Sequence, residues 1–301
     1  DKPACAIVVV PDHLHYQVIS DCLSAKLHVL VVKPLTPKAE EGRKLIALAN
    51  ANNLYCGVEF HKRFDRSNMM MRDTFQSGDI GIPLYFLVEY SQRKSIPTKM
   101  FKEWAHKTNI LQYLGIHYID IVRFVTQALP LRVMALGQKT WLHDNEIDTF
   151  DSIQCIVEWE TVRGDKFTQT LLTNWIDPES STSMSDQKIK MIGTNGRYEA
   201  DQKERGIRIC VDESYLQQPN PDFCMSYKDH SGNSIWQGYG IDSVVDYLNR
   251  VSNFVKSDMN IESIDNASRS SFEESLISTL VLESANESLN LDGKWVPIES
   301  K

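Results

Sequence analysis

The sequence predicts an α/β region followed by an α+β region: a partial parallel sheet, then a larger, mostly antiparallel open sheet with helices on one face. Three observations predict this. Short apolar runs alternate with helical patterns over the first sixty residues, strand-like runs dominate residues 131–211, and two helical patterns follow near 241–256 and 270–288. Alternating strands and helices are typical of parallel sheets, and strands followed by helices are typical of α+β domains.

The first sixty residues predict strand, helix, strand, helix and strand. The strands are the valine-rich and leucine-rich runs at 4–10, 27–32 and 54–60. Thr36 can cap the second helix, and Pro37 suits its first turn. Because the three runs are apolar on both faces, they predict a parallel sheet covered by helices. Such a unit corresponds to half of a doubly wound nucleotide-binding sheet.

Beyond His61 the pattern predicts a different architecture. Helices at 65–77 and 111–128 flank a strand at 84–92. Further strand-like runs occupy 131–142, 152–160, 167–176, 189–192 and 207–211. Their alternation of apolar and polar residues indicates a sheet with one solvated face. Residues 212–234 are polar and rich in Pro, Asp, Ser and Gly, which predicts a long loop.

Composition disfavours several classes of protein. The net charge is −8, with no block of Lys and Arg that could follow a phosphate backbone, so we expect no nucleic-acid partner. No apolar stretch is long enough to span a membrane. The six cysteines form no C-x-x-C pair and lie mostly in apolar runs. We therefore expect buried, reduced thiols in a cytoplasmic protein, and no metal centre.

Lys33 is the first candidate for chemistry. It ends the second apolar run and is followed by Pro34. Ligands of parallel sheets bind beyond the carboxyl ends of the strands, where His13, His15 and His61 also emerge. A lysine held there can donate hydrogen bonds to a substrate hydroxyl, although a surface lysine that merely ends a strand is the alternative. We weighed His13-x-His15 as half of a metal site and favour a turn histidine that touches a ligand.

The second candidate is a polar face on the 111–128 helix. Tyr113, His117 and Asp120 recur at helical spacing and project from adjacent turns. The alternative is a solvated helix face, but the surrounding stretch is mostly apolar. We interpret His117 as functional, and Asp120 as a residue that either orients His117 or caps a neighbouring loop. Together with Lys33, this face suggests proton movement beside hydride transfer on a polyol or sugar.

Several motifs, in order, resemble the glucose–fructose oxidoreductase/inositol dehydrogenase (Gfo/Idh/MocA) family. Residues 10–15 are similar to its Thr-Pro-x-x-x-His turn beside the nicotinamide, and residues 31–34 to its Glu-Lys-Pro motif. Arg63-Phe64-Asp65 resembles the end of its nucleotide domain, and residues 115–120 match its Gly-x-His-x-x-Asp helix. The resemblance runs nearly end to end.

The resemblance implies a dehydrogenase that uses NAD or NADP on a polyol or sugar and forms homodimers or homotetramers through its open sheet. It implies that residues 1–63 are the C-terminal half of a Rossmann-type domain and that 64–301 form the substrate-binding and oligomerisation domain. The expected catalytic residues are Lys33, His117 and Tyr113. The expected cofactor-binding residues are Pro11, His13, His15, Lys33 and His61. The expected substrate-binding residues are Lys33, Tyr113, His117, Asp120 and Trp104.

Three departures from the family pattern stand out. The first strands and Gly-rich turn of the family's nucleotide domain are missing from these 301 residues, as if the chain began near its fourth strand. Val32 replaces the glutamate before the lysine, and Tyr113 replaces the common aspartate before the histidine. A non-catalytic relative used for binding or assembly, and a sugar-binding module without redox chemistry, are therefore the alternatives.

Overall fold

The chain divides into two compact units. A computed structural model describes residues 4–213, 216–257 and 269–299. The first unit comprises Asp1–Asn68 and Asp222–Glu283, and the second comprises Met69–Pro221 and Ser284–Lys301. The sequence predicts one boundary after residue 63, which lies close to the Asn68/Met69 junction. It does not predict the return of residues 222–283 to the first unit.

Nineteen elements of regular structure are used below. The strands are β1 (Cys5–Val8), β2 (His28–Val32), β3 (Cys56–Glu59), β4 (Pro83–Arg93), β5 (Leu129–Gln138), β6 (Ser152–Glu160), β7 (Lys166–Asp177), β8 (Ser185–Gly193), β9 (Arg197–Asp201), β10 (Met225–Lys228), β11 (Ser234–Gln237) and β12 (Val296–Pro297). The helices are α1 (His15–Ser24), α2 (Ala39–Ala51), α3 (Arg66–Gln76), α4 (Ile116–Thr126), α5 (Trp141–Asp144), α6 (Tyr239–Ser257) and α7 (Phe272–Asn290).

The first unit contains a three-stranded parallel sheet in the order β1-β2-β3. The central strand β2 is covered on both faces, and the side chains of Val29, Leu30 and Val31 are completely buried. A strand buried on both faces needs a continuous apolar run, which is what the sequence shows. The predicted parallel sheet is therefore confirmed.

Residues 222–283 join the first unit through polar and aromatic contacts with this sheet. The Val58 amide donates to the Ser270 carbonyl at 2.9 Å, and the ring of Tyr247 on α6 stacks on Tyr55 with centroids 5.6 Å apart. Part of the loop predicted at 212–234 is a hairpin formed by β10 and β11. Its strands are short and almost wholly exposed, so no alternation of burial marks them in the sequence.

The second unit contains a seven-stranded sheet in the order β12-β5-β6-β7-β4-β8-β9. Within this sheet, β4–β7 is the one parallel pair among the strand pairs that the structure describes. Burial alternates along β6, where Cys155, Val157 and Trp159 are completely buried between partly exposed neighbours. The predicted mostly antiparallel open sheet is confirmed, with α4 against its buried face through the Gln169 side chain, which donates to the Tyr118 carbonyl at 2.8 Å.

Two local predictions in this unit are wrong, and one strand is not predicted. The strand predicted at 131–142 stops at Gln138, because the Asp151 carboxylate accepts hydrogen bonds from the amides of Thr140, Trp141 and Leu142 and starts α5 there. Residues 207–211 form no strand, only a single bridge between Ile209 and Gln217. The hairpin partner of β8 is β9, which the sequence analysis missed.

The cysteines are less uniformly buried than expected. Cys56 and Cys155 are buried, and Cys5 and Cys22 are partly buried, but Cys210 and Cys224 are exposed. The two exposed thiols lie outside regular strands: Cys210 lies in the stretch wrongly predicted as a strand, and Cys224 lies in the predicted loop. No described helix is both long and apolar enough to cross a membrane.

Candidate functional site

The first group of predicted site residues lies at the carboxyl ends of β1, β2 and β3. Pro11 follows β1, Lys33 follows β2, and His61 follows β3; Asp12, which the sequence does not single out, is the neighbour of Pro11. The three strands are neighbours in one parallel sheet, so their ends share an edge. The structure therefore brings together, within the first unit, side chains that are far apart in the sequence.

Lys33 lies between carboxylates from the two flanking strand ends. It is partly buried, and the peptide bond to Pro34 is cis. Burial lowers the pKa of Lys33 to about 8, although the carboxylates of Asp12 and Glu59 act in the opposite direction. An ammonium whose pKa lies this close to neutrality is held as a charged donor at pH 7 but can lose its proton in mildly alkaline solution.

His15 lies inside the protein rather than at the surface of the crevice. Its ring is completely buried, with Nδ1 2.8 Å from the Pro34 carbonyl oxygen and Nε2 3.1 Å from the Val10 carbonyl oxygen. Burial lowers the pKa of His15, so the neutral ring is favoured and only one of its nitrogens carries a hydrogen to donate. The ring thus lies between the turns after β1 and β2, and it donates a hydrogen bond to one of the two carbonyl oxygens. The predicted contacts of His13, His15 and Pro11 with a cofactor stay predictions.

His61 is held by a glutamate that the sequence analysis did not single out. Its Nδ1 atom lies 2.9 Å from Oε2 of Glu59, and its ring stacks on Tyr239 with centroids 5.8 Å apart. Glu59 is the last residue of β3, and its side chain is only 13% exposed. The available signal is a charged residue near the end of an apolar run, similar to the signal that singles out Lys33.

The second group of predicted residues lies in the second unit. Tyr113 belongs to a π-helical turn at Leu111–Gly115, and His117 and Asp120 lie on α4, which follows directly. His117 and Asp120 are buried, with 3% and 1% exposure. The sequence analysis predicts one regular helix here. A π turn changes the angular spacing of its residues, and such turns are frequent at functional sites.

Tyr113 and Trp104 are parts of one aromatic cluster. The ring of Tyr113 contacts Phe101, Trp104 and Trp175, with centroid separations of 4.9, 6.1 and 5.8 Å. The Trp175 indole N–H donates to the Gln92 side chain at 3.1 Å, which fixes the base of the cluster. Trp104 and Tyr113 are partly exposed at its surface. The predicted substrate residues Tyr113 and Trp104 therefore share one aromatic wall.

The residues of the first unit fit a nicotinamide cofactor in part. Lys33 and His61 supply polar groups at the carboxyl edge of the sheet, the edge at which ligands of parallel sheets bind. A pyrophosphate needs a Gly-rich turn between a strand and a helix. The glycines of residues 1–60 are Gly42, inside α2, and Gly57, inside β3. These residues therefore offer no cradle for the pyrophosphate.

Among the residues that the structure describes, no group of three or more His, Cys, Asp or Glu side chains could hold a metal ion. A polar groove of about 300 Å³ lies in the second unit and is lined by residues that include Lys107, Gln112, Lys139 and Asn286. None of the predicted site residues lines it.

Two family models match this chain. The oxidoreductase family model described as an NAD-binding Rossmann fold matches residues 1–60, and the GFO/IDH/MocA C-terminal domain matches residues 69–199. An inositol 2-dehydrogenase of Rhizobium meliloti is 25% identical over 234 residues, which cover 76% of this chain and 67% of that protein. A scyllo-inositol 2-dehydrogenase (NADP(+)) of Bacillus subtilis is 29% identical over 123 residues, 40% of this chain.

The alignments with several curated relatives are short. The matched part spans 34% of the Bacillus subtilis protein and 31% of an uncharacterized oxidoreductase of Schizosaccharomyces pombe, to which it is 30% identical. Among solved structures, apo scyllo-inositol dehydrogenase from Lactobacillus casei superposes with a TM-score of 0.72 at 16% identity, covering 98% of this chain and 79% of that one. An Azotobacter vinelandii inositol dehydrogenase homolog complexed with NADH and myo-inositol gives 0.71 at 18%, covering 98% and 78%. These structural matches establish the fold.

Proposed function

Because the chain belongs to the Gfo/Idh/MocA family of oxidoreductases, we propose that it transfers a hydride between a nicotinamide cofactor and a hydroxyl-bearing carbon of a cyclitol, sugar or sugar derivative. The observation that carries this proposal is the environment of Lys33. A lysine with a lowered pKa, set between two carboxylates at the carboxyl edge of a parallel sheet, is equipped to hold a hydroxyl group. A lysine that merely ends a strand at the surface would keep an ordinary pKa.

The role of each side chain follows from the chemistry of alcohol oxidation. A secondary alcohol loses a hydride from carbon and a proton from oxygen, and a bound nicotinamide cofactor supplies the hydride acceptor. We assign the proton to His117, because imidazole has an ordinary pKa of about 6.5 and accepts protons near neutral pH. Lys33 as an ammonium holds the hydroxyl and stabilises the developing alkoxide. Tyr113 orients the substrate or completes the proton relay.

The relatives and the aromatic cluster support the choice of substrate class. The curated relatives with named activities include inositol dehydrogenases that act on cyclitols. The partly exposed rings of Tyr113 and Trp104 offer an apolar wall, and specific ligand sites combine such walls with a few polar groups. The buried His117 on the following helix supplies one such polar group.

An activity assay tests the proposal directly. The protein is incubated with millimolar NAD+ or NADP+ and with single cyclitols and aldoses, and the formation of reduced cofactor is followed by absorbance. We expect turnover of at least one polyol, and loss of that turnover in Lys33→Ala. Replacement of Lys26, an exposed lysine in the same unit, by Ala provides the matched control and leaves the rate unchanged. No turnover of any polyol by a folded protein would contradict the proposal.

A non-catalytic role is the second candidate, and the glycine positions favour it. Since neither Gly42 nor Gly57 lies in a strand-to-helix turn, these 301 residues should bind NADH and NADPH weakly. Fluorescence titration is the measurement, and we expect a Kd well above the micromolar range. Micromolar affinity would mean that another segment of this chain holds the pyrophosphate, and it would weaken the second candidate. Undetectable binding together with no turnover would favour it.

A further inference from the structure

Glu59 occupies a special place in the sheet. It is paired in register with Val32 on the neighbouring parallel strand, and Val32 directly precedes Lys33. Paired residues of adjacent strands lie at the same level and present their side chains to the same face. Val32 stands where the resembled motif carries a glutamate. The first unit therefore has a carboxylate at this level of the sheet, but on the adjacent strand.

The Glu59 carboxylate is fixed by donors from two different elements. Oε2 lies 2.9 Å from His61 Nδ1, in the turn that follows β3, and Oε1 accepts a hydrogen bond from Ser243 Oγ on α6 at 2.5 Å. His61 is in turn packed between Tyr239 and Phe223, with ring centroids 5.8 and 5.2 Å away. A carboxylate with both oxygens engaged and its partner ring stacked has a defined orientation.

The charges around Glu59 keep it ionised. Burial raises the pKa of Glu59, but His61, the Ser243 hydroxyl and the Arg269 guanidinium act against burial and hold the pKa below its usual value. The groups that face Glu59 are thus His61 from its own strand end, Ser243 from α6, Arg269 from the segment before α7, and Lys33 from the end of β2. Asp12 faces Lys33 from the end of β1.

We propose that Glu59 is a positioning residue for the hydride-transfer site: it supplies, from β3, the carboxylate that Val32 cannot supply, and it holds both the Lys33 ammonium and the His61 ring in place. This inference rests on the proposed function for its catalytic meaning. Its physical content, the coupling of Glu59 to Lys33, concerns only residues of the first unit. Without this carboxylate, less negative charge opposes the desolvation of Lys33, so Lys33 loses its proton at lower pH.

The coupling can be measured without cofactor or turnover. Lys33 is labelled with an acylating reagent at a series of pH values, and the modified peptide is quantified by mass spectrometry to give the apparent pKa of its amine. In Glu59→Gln we expect that pKa to fall by roughly half a unit or more relative to wild type. Glu41→Gln, a partly exposed carboxylate of α2 in the same unit, is the matched control and leaves it unchanged. An unchanged pKa of Lys33 in folded Glu59→Gln overturns the proposal.

Two further variants make the result specific. Ser243→Ala removes one hydrogen bond to Glu59 but keeps its charge, so we expect a smaller shift in the same direction. The double variant Val32→Glu/Glu59→Gln returns a carboxylate to the strand that carries Lys33, and we expect it to restore part of the lost shift. If Ser243→Ala shows no shift and the double variant restores none, a shift in Glu59→Gln would reflect a general disturbance of the fold. That result would also overturn the proposal.

The pH profile of kcat/KM then links the coupling to function. If the protein oxidises a polyol, the alkaline limb should move to lower pH in Glu59→Gln by the amount found by labelling. A labelling shift without any turnover in wild type supports the coupling and contradicts the proposed function. An alkaline limb that stays in place while the pKa of Lys33 moves would overturn the positioning role.

Discussion

The candidate site residues of the two units are built in different ways. In the first unit, Lys33, Glu59 and Asp12 come from three strand ends that are far apart in the sequence. In the second unit, Tyr113, His117 and Asp120 come from one continuous helical segment with a π turn. The first group depends on the register of a sheet, whereas the second depends on the phase of a helix. A substitution should therefore disturb each group through different neighbours.

The largest effects should come from the two residues that we place at the reacting hydroxyl. We expect Lys33→Ala and His117→Ala each to lower kcat by at least about a hundredfold, since acid–base and electrostatic groups contribute on this scale. Tyr113→Phe should have a smaller effect, because it keeps the ring in its aromatic cluster. Steady-state kinetics at saturating cofactor measures all three. If both alanine variants keep kcat within about threefold while folded, a binding role becomes the better interpretation.

The helical segment that carries Tyr113, His117 and Asp120 should depend for its stability on the buried side-chain amide of Gln169. Gln169 is completely buried, donates to the Tyr118 carbonyl at 2.8 Å and accepts from the Trp159 indole at 3.2 Å. Gln169→Leu leaves the indole N–H without its acceptor, and we expect a loss of about 1–3 kcal/mol in the free energy of unfolding by urea. Thr168→Val, on the other face of β7, should change it by less than about 0.5 kcal/mol. Equal effects would contradict this dependence.

The outer face of the second sheet should mediate self-association, for which the small parallel sheet of the first unit has no equivalent surface. Leu136 and Leu172 are 46% and 37% exposed there, and both are paired in register with Gln154. We expect light scattering to give at least a dimer at micromolar concentration, and Leu172→Lys to lower the mass towards one chain. Val162→Lys, in the exposed β6–β7 turn, is the control. A wild-type mass of one chain would refute the prediction.

Acidification should weaken the first unit through a neutral buried histidine. The Tyr55 amide donates to His28 Nδ1 at 2.8 Å, and burial lowers the pKa of His28. A folded-state pKa below the unfolded value of about 6.5 means that this stabilisation is complete above that pH and is lost as the pH falls further. The urea concentration at the unfolding midpoint should therefore decrease as the pH is lowered below about 6.5. The decrease should be smaller in His28→Asn, because the asparagine side-chain oxygen keeps an acceptor for the Tyr55 amide. An identical drop in both would exclude His28 as the cause.

The same contrast explains what the sequence analysis found and missed. Lys33 and His117 were found because their motifs are contiguous, and the parallel and antiparallel sheets were predicted from apolar periodicity. Glu59 was missed because its significance comes from strand register, which pairs it with Val32. The π turn at Tyr113 and the return of residues 222–283 to the first unit also depend on tertiary contacts. Local patterns cannot specify these contacts.

We propose that Lys33 and His117 serve the same reaction step, and a double-mutant cycle can test this proposal. Lys33→Ala, His117→Ala and the double variant are compared by kcat with the polyol that wild type oxidises best. Residues that act as a unit have strongly non-additive effects. We therefore predict that the double variant is about as slow as the slower single variant. Effects that multiply, or a double variant as fast as wild type, would contradict the claim.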